Sequence, residues 1–174
     1  MYNFIMIFSV KYCVVHSYYK VKAGKIIFMA AKDNWPSEKI SPDDLLNMAR
    51  EAARRAYVPY SRFHVGAAML FDNDEVIQSC NVENASYGIT ICAERAGVVI
   101  MVSQGKRNPL AIAVAGSHED RDDYMKVACP PCGACRQALM EFNTNMLVVM
   151  ASKDGAKIYE LKKLLPHSFT LDPD

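Results

Sequence analysis

The amino-acid sequence predicts one α/β domain, a sandwich of helices on a mixed sheet. Residues 63–81 have the pattern of an opening hairpin, and short apolar runs then alternate with stretches of helical spacing. The chain has 174 residues, 51% of them hydrophobic and 22% charged, which provides for one substantial core. It contains no internal repeat and no low-complexity linker, so the sequence gives no reason to expect a second domain.

The first predicted helix begins at Ser41. This serine can cap the helix, Pro42 suits the first helical position, and two aspartates follow at the positive end of the helix dipole. Apolar residues recur at helical spacing until Val58-Pro59 stops the pattern. One face of this helix is small enough to let a second copy of the chain approach closely, and it consists of Ala49, Ala52, Ala53 and Ala56.

The opening hairpin is predicted to pair Phe63–Phe71 with Glu75–Asn81 across a turn of acidic and amide residues. The segment that follows, 81–85, is too polar for a core strand. A helix then begins at Cys92 and runs to Ser103, where Gly105 ends it.

The C-terminal half continues the alternation of strands and helices. We expect strands at Leu110–Gly116 and Met146–Ala151, the first of them followed by a polar surface loop, 117–126. The remaining expected elements are a helix at Gly133–Phe142, an edge strand at Lys157–Tyr159, a short helix at Leu161–Leu165 and a tail from Pro166.

Residues 1–28 differ from the rest of the chain, 29–174. Their apolar start is too short to cross a membrane and has neither the basic flank nor the cleavage site of a signal peptide. Since Met29 resembles a natural start, we interpret 1–28 as an extension that adds nothing to the domain; a targeting segment is the alternative. The extension contains four lysines and no acid, so it carries a charge of +4. Because the whole chain has a net charge of +1, the domain has a net charge of −3. A mildly acidic domain makes nucleic acid an improbable main partner.

Two cysteine motifs carry the chemistry. Cys92 is followed two residues later by Glu94, and Cys132 and Cys135 form a C-x-x-C pair. Three thiolates around Zn²⁺ leave one tetrahedral position open for water, which distinguishes a catalytic zinc from a structural one. The helix starts at these cysteines favour the thiolate form. We therefore expect reduced thiols in a cytosolic protein, three of them binding one zinc per chain.

A fourth cysteine competes for the metal, because Cys129 also precedes Cys132 at C-x-x-C spacing. The two prolines between them favour extended backbone at ~3.1 Å per residue, which puts Cys129 roughly 9 Å back along the chain. We expect Cys129 to be free, although the sequence leaves its role open. Three thiolates on Zn²⁺ carry excess negative charge, and Arg95 is the first candidate to offset it by donating to the sulfurs, with Arg136 the second.

The stretch from about Ser41 to Phe169 resembles the small, homotetrameric, zinc-dependent class of cytidine deaminases. Four motifs match in order: YSRFHVGAA at 60–68, NVENASY at 81–87, CAER at 92–95 and PCGACRQ at 131–137. Pro130 stands where the family usually has serine, a departure confined to a loop. The resemblance implies a three-layer α/β/α sandwich with a mixed five-stranded sheet. It also implies a homotetramer in the cytoplasm that serves pyrimidine salvage, without nucleic-acid or membrane partners.

The resemblance further implies a mechanism and a set of site residues. Activated water attacks C4 of cytidine or deoxycytidine. Glu94 takes the water proton, gives it to N3 and later protonates the departing amine, which leaves uridine or deoxyuridine. Ala93 contacts the base edge, Phe63 flanks the base, and Asn81 and Glu83 bind the ribose. Residues lining a neighbouring subunit's site are Ala85, Ser86, Tyr87 and Phe169.

Two other classes of function remain as alternatives. One is a structural zinc module or an inactive paralogue that acts as a binding protein; Glu94 argues against both, because neither needs an acid–base residue. The other is a deaminase of a modified nucleoside, which would differ only in the lining of the pocket. The sequence does not decide between cytidine and deoxycytidine as the preferred substrate.

Overall fold

The structure, a computed structural model, describes residues 19–22, 25–28, 34–118 and 126–171. Its centre is a five-stranded sheet in the order β4-β3-β5-β6-β7. Only β5 and β6 run parallel, and the other neighbours are antiparallel, so the predicted mixed sheet is confirmed. The strands are β3 (Phe63–Leu70), β4 (Val76–Cys80), β5 (Ala111–His118), β6 (Leu147–Ser152) and β7 (Gly155–Glu160).

Four helices cover the two faces of this sheet. Alternate strand residues point to opposite faces, and both sets are apolar, which is why both faces need a cover. Among the described residues, one face packs against the first helix and the segment before it, and the other against the remaining three helices, so the three-layer α/β/α sandwich is confirmed. The helices are α1 (Pro42–Ala53), α2 (Ala93–Ser103), α3 (Gly133–Met140) and α4 (Leu161–Leu164). None of the described helices is long and apolar enough to span a membrane.

The start of α1 follows the sequence prediction. The Ser41 side chain accepts a hydrogen bond from the Asp44 backbone N–H, and the Asp44 carboxylate accepts one from the Ser41 N–H. This reciprocal capping satisfies two backbone donors that the helix cannot satisfy itself. The helix ends at Ala53, a few residues before the predicted stop.

The interpretation of the alanine-rich face as a contact between copies is wrong. Ala49, Ala52 and Ala53 are fully buried within the chain, where α1 lies on its own sheet. The close approach occurs at Gly66 of β3, where an added Cβ would lie 2.0 Å from the Ala49 carbonyl oxygen and 2.3 Å from the Ala53 nitrogen. Small residues on both elements therefore serve helix–sheet packing.

Strand β5 is longer than the sequence predicted. Ser117 and His118, expected to open a surface loop, continue the strand because they pair with His64 and Phe63 at the start of β3. Most of the predicted loop lies outside the described residues.

The predicted extension, 1–28, lies mostly outside the described residues. The described part contains two strands, β1 (Tyr19–Lys22) and β2 (Lys25–Phe28), which pair antiparallel in a sheet separate from the five-stranded one. Whether the extension contributes to the domain stays a prediction.

Candidate active site

Two helix starts meet at the candidate site. Cys92 is the N-cap of α2 and Cys132 the N-cap of α3, and neither side chain makes a capping hydrogen bond, so both sulfurs are available as ligands. Cys135 lies in the first turn of α3 and is fully buried. The predicted start of a helix at each cysteine motif is confirmed.

The three sulfurs of Cys92, Cys132 and Cys135 form the one group suited to a metal ion among the described residues. All three lie within 4.8 Å of one another, and those of Cys132 and Cys135 are 3.4 Å apart. Zn–S bonds of about 2.3 Å at tetrahedral angles place sulfurs about 3.8 Å apart, so this arrangement fits zinc with little adjustment. Soft thiolate donors also favour zinc over magnesium or calcium.

Cys129 is not part of this group. Its sulfur packs over Gly116 of β5, where an added Cβ would lie 2.7 Å from it. Burial, reinforced by the charges of Glu94 and Cys92, raises the pKa of the Cys129 thiol to about 12. Because burial also raises the pKa of Cys135, which belongs to the group, Cys129 is set apart by the position of its sulfur and not by its pKa.

The environments of the other cysteines differ. Burial raises the pKa of both Cys92 and Cys135, so the prediction that the helix starts favour their thiolate form before metal binds is wrong for these two. Burial also acts on Cys132, but a hydrogen bond from the Cys135 backbone and the neighbouring thiols outweigh it and lower its pKa. A cation at the centre would favour the thiolate in all three.

Arg95 is the first of the two arginines predicted to donate to the thiolates. Its Nη2 donates to the carbonyl of Thr90 at 3.0 Å, so the guanidinium folds back towards the start of its own helix. Its Nε is buried without a hydrogen-bond partner, the one such side-chain nitrogen or oxygen among the described residues. Buried donors are rarely left unpaired, so the donation from Arg95 to the thiolates stays a prediction. Arg136 instead donates to the carbonyls of Pro131 and Leu164.

Glu94 lies beside the thiols in the first turn of α2 and is only 4% exposed. Burial raises the pKa of this carboxyl, opposed by its own backbone N–H, by the Cys135 thiol and by the charge of Arg95. A carboxyl whose pKa lies above its usual range is suited to exchanging protons at neutral pH. The preceding residue, Ala93, is fully buried, and its carbonyl accepts a 2.7 Å hydrogen bond from Ser79 of β4.

Backbone hydrogen bonds hold the polar segment around Val82 between Tyr57 and the residue before Cys92. Val82 exchanges two backbone hydrogen bonds with Ile91, each 3.0 Å, and Tyr57 bonds to the residues on either side of Val82. The Asn81 side chain donates to the Phe63 carbonyl and accepts from the Val65 N–H, both at 2.9 Å. Asn81 therefore fixes the start of β3 against the site, a role that the sequence did not indicate.

Glu83 lies at a surface cavity of about 410 Å³, which Tyr60, Ser61, Tyr87 and Thr90 also line. Its carboxylate accepts hydrogen bonds from the backbone N–H groups of Tyr60 and Ser61, at 3.0 and 3.2 Å. The Ser61 hydroxyl and these two N–H groups lower the pKa of Glu83, so its carboxylate is charged at neutral pH. The three cysteines do not line this cavity.

The other predicted contact residues lie at the surface. Ala85 and Ser86 are exposed, Tyr87 is 75% exposed and packs edge-on against Tyr60, and Phe169 is 68% exposed. Phe63 is half-buried against the ring of His118, with ring centroids 4.9 Å apart. The contact between Phe63 and His118 was not expected from the sequence, because His118 was predicted to lie in a loop.

Comparison with known proteins identifies the family to which the chain belongs. The model of the cytidine and deoxycytidylate deaminase zinc-binding region matches residues 40–151. The chain belongs to this family. Cytidine deaminases from Halalkalibacterium halodurans and Mycobacterium tuberculosis are 42% and 43% identical to it, over 74% and 75% of the chain and 93% and 94% of their own lengths. The crystal structure of cytidine deaminase from Burkholderia pseudomallei is similar, with a TM-score of 0.64, 37% identity and coverage of 72% of this chain and 96% of that one.

Membership of the family agrees with the three cysteine thiols as metal ligands. The matched region contains all three cysteines and Glu94, and the thiol geometry agrees with a zinc-binding deaminase that holds one ion per chain. The chain is therefore a hydrolytic, zinc-dependent enzyme of this family.

Proposed function

We propose that this chain hydrolyses the exocyclic amine of cytidine and deoxycytidine, releasing uridine or deoxyuridine and ammonia. The observation that carries the proposal is the group of three thiols within 4.8 Å of one another beside the buried Glu94, inside the matched deaminase region. Cytoplasmic pyrimidine salvage is the setting that suits a free nucleoside as substrate.

Cys92, Cys132 and Cys135 would hold the zinc ion. A zinc ion bound by three thiolates supplies a water of lowered pKa as the nucleophile. Arg95, whose buried Nε has no hydrogen-bond partner among the described residues, would donate to the sulfurs of the occupied site and withdraw part of their excess negative charge.

Glu94 carries the protons of the reaction. It takes one from the attacking water and delivers it to N3 of the pyrimidine ring. It then takes the second from the hydroxyl that has formed on C4 and delivers it to the departing amine. One carboxyl can serve in both directions because burial raises its pKa above the usual range, which makes the protonated form more accessible to a group that also acts as a base. The backbone of Ala93, held by Ser79, contacts the base edge.

The remaining contacts select a free nucleoside. Asn81 and Glu83 bind the ribose hydroxyls, and Phe63 flanks the base. Asn81 uses one N–H and one lone pair on the backbone of β3, which leaves the second of each for the sugar. The charged Glu83 opposes a phosphate by like charge.

The proposed assembly is a homotetramer with shared sites. The support is the exposure of Tyr87 and Phe169, whose rings find little cover within the chain. Phe169, together with Ala85, Ser86 and Tyr87, would line the pocket that holds Glu94 of another subunit. Such a lid excludes bulk solvent from the pocket while the attacking water stays inside it.

The test is the ultraviolet absorbance change on adding the zinc-loaded protein to cytidine, with deoxycytidine, cytidine monophosphate and single-stranded DNA assayed in parallel. We expect both nucleosides to react and the nucleotide and polynucleotide to remain unchanged. Turnover of the monophosphate at a comparable rate would reject the proposed role of Glu83. No turnover of either nucleoside by zinc-loaded protein would favour the alternatives: a modified nucleoside as substrate, an inactive paralogue or a structural zinc module.

A further inference from the structure

Gln137 of α3 makes a two-point contact with the backbone of Phe169. Its Nε2 donates to the Phe169 carbonyl at 2.7 Å, and its Oε1 accepts from the Phe169 N–H at 3.0 Å. Exchanging the amide oxygen and nitrogen would lose both bonds, so the contact fixes the orientation of the side chain. Thirty-two positions separate the two residues in sequence.

The contact holds the backbone of Phe169, whose ring is largely exposed to solvent. Phe169 follows the last helix and is 68% exposed, so within the chain little packing holds its side chain. Segments near a chain end are mobile unless something ties them down. The paired hydrogen bonds restrict the backbone at Phe169 and so direct its ring outward.

A second attachment comes from the neighbouring residue. Arg136 donates from Nη1 to the carbonyl of Leu164 at 2.9 Å and from Nε to the carbonyl of Pro131 at 2.8 Å. The C-terminal segment is thus joined at Leu164 and at Phe169 to α3, the helix that carries Cys132 and Cys135. The segment and the metal-binding helix form one unit.

We propose that Gln137 is a positioning residue that sets where the Phe169 ring projects, and so how well it closes the nucleoside pocket of a neighbouring subunit. The inference rests on the shared sites of the proposed function. Gln137 touches no reacting atom and acts through Phe169 alone. Its loss should therefore weaken nucleoside binding and leave the chemistry of the bound substrate nearly unchanged.

The experiment compares Gln137→Leu and Gln137→Glu in the zinc-loaded enzyme. Leucine removes both hydrogen bonds, and glutamate keeps an acceptor for the Phe169 N–H but places a carboxylate oxygen against the Phe169 carbonyl. We expect each variant to raise the KM for cytidine about 10-fold, as the loss of two neutral hydrogen bonds allows, with a smaller change in kcat. Zinc content should be unchanged. Gln78→Leu is the control, since the described partner of the Gln78 side chain on β4 is the exposed side chain of Arg55.

A double-variant comparison shows whether the effect passes through Phe169. Phe169→Ala should raise KM, and adding Gln137→Leu to it should cause no further rise. Hydrogen exchange gives an independent readout: the Phe169 amide should be protected in the wild type and exposed in Gln137→Leu.

Three results would overturn the inference. An unchanged KM for Phe169→Ala would reject the shared site and this inference with it. A raised KM for Phe169→Ala with a normal KM for Gln137→Leu would reject the inference alone. An undiminished effect of Gln137→Leu in the Phe169→Ala background would show that Gln137 acts on the metal-binding helix instead.

Discussion

The hydroxyl of Ser79 donates a buried hydrogen bond of 2.7 Å to the carbonyl of Ala93, the residue between Cys92 and Glu94. It joins β4 to the first turn of α2, the turn that carries the proposed acid–base residue. Gly97, one turn further, lies so close that an added Cβ would be 2.8 Å from the same hydroxyl oxygen. The catalytic turn is therefore held tightly against the sheet.

The first prediction concerns this contact. Ser79→Ala leaves the buried carbonyl with only its helical partner, so we expect the free energy of unfolding to fall by about 1 kcal/mol and the turnover of cytidine to decrease several-fold. Ser103→Ala is the matched control, because Ser103 makes a similar bond to the Val99 carbonyl at the exposed end of the same helix. Denaturant unfolding and steady-state kinetics measure both effects. Equal losses in the two variants would contradict a special role for Ser79.

The second prediction concerns the contact between α1 and β3. Gly66→Ala would force its new Cβ into the backbone of α1, so we expect a loss of about 3 kcal/mol or more in the free energy of unfolding. Gly88→Ala should be nearly neutral, because nothing lies within 4 Å of the added atom. A wild-type unfolding midpoint for Gly66→Ala would show that the helix moves away at little cost.

Local patterns predicted much of this fold, and contacts between distant segments account for what was missed. The cap at Ser41 and the helix starts at Cys92 and Cys132 depend on neighbouring residues, which the sequence displays directly. The alanines of α1 looked the same whether they faced another copy or Gly66, because only the folded sheet shows which surface covers them. For the same reason, no local pattern marked the contact between Gln137 and Phe169.

In the site, too, local motifs were predictable from the sequence and contacts between distant segments were not. The motif spacing was sufficient to group the three thiols with Glu94, and the structure brings them together. The hydrogen bonds of Asn81 to Phe63 and Val65, in contrast, depend on strand register. The unpaired Nε of Arg95 depends on burial, which sequence alone does not give at one atom.

The third prediction concerns metal content. Cys132→Ser should lose both zinc and activity, because a serine hydroxyl does not ionise to replace a thiolate ligand at neutral pH. Cys129→Ser is the control and should keep both, since Cys129 packs over Gly116 outside the ligand group. Metal analysis after dialysis, with activity measured on the same samples, checks this. Equal loss from both substitutions would reject the three-ligand assignment.

The fourth prediction concerns Glu94. Glu94→Gln keeps the shape of the side chain but removes its ability to exchange protons. We expect a folded, zinc-loaded protein that still binds cytidine, with turnover reduced by about 10²–10⁴. Glu141→Gln, at an exposed carboxylate just after α3, should leave turnover unchanged. A rate near that of the wild type would exclude Glu94 from the mechanism.

The last prediction tests whether sites are shared between subunits. Glu94→Ala and Phe169→Ala should each be weak, the first through chemistry and the second through an open pocket. If Phe169 of one subunit closes the pocket that holds Glu94 of another, unfolding and refolding the two variants together creates some sites with both residues intact. We therefore expect the mixture to exceed the average activity of its parents.

The matched control replaces the Glu94→Ala partner with a chain that carries both Glu94→Ala and Phe169→Ala. That mixture contains no intact Phe169, so mixing of subunits cannot restore any site, whereas general effects of refolding would be the same. Recovery only in the first mixture would support sharing through Phe169 itself. If neither mixture exceeds its parents while size-exclusion chromatography shows that subunits have exchanged, each site is built from one chain, and the exposed ring of Phe169 has another purpose.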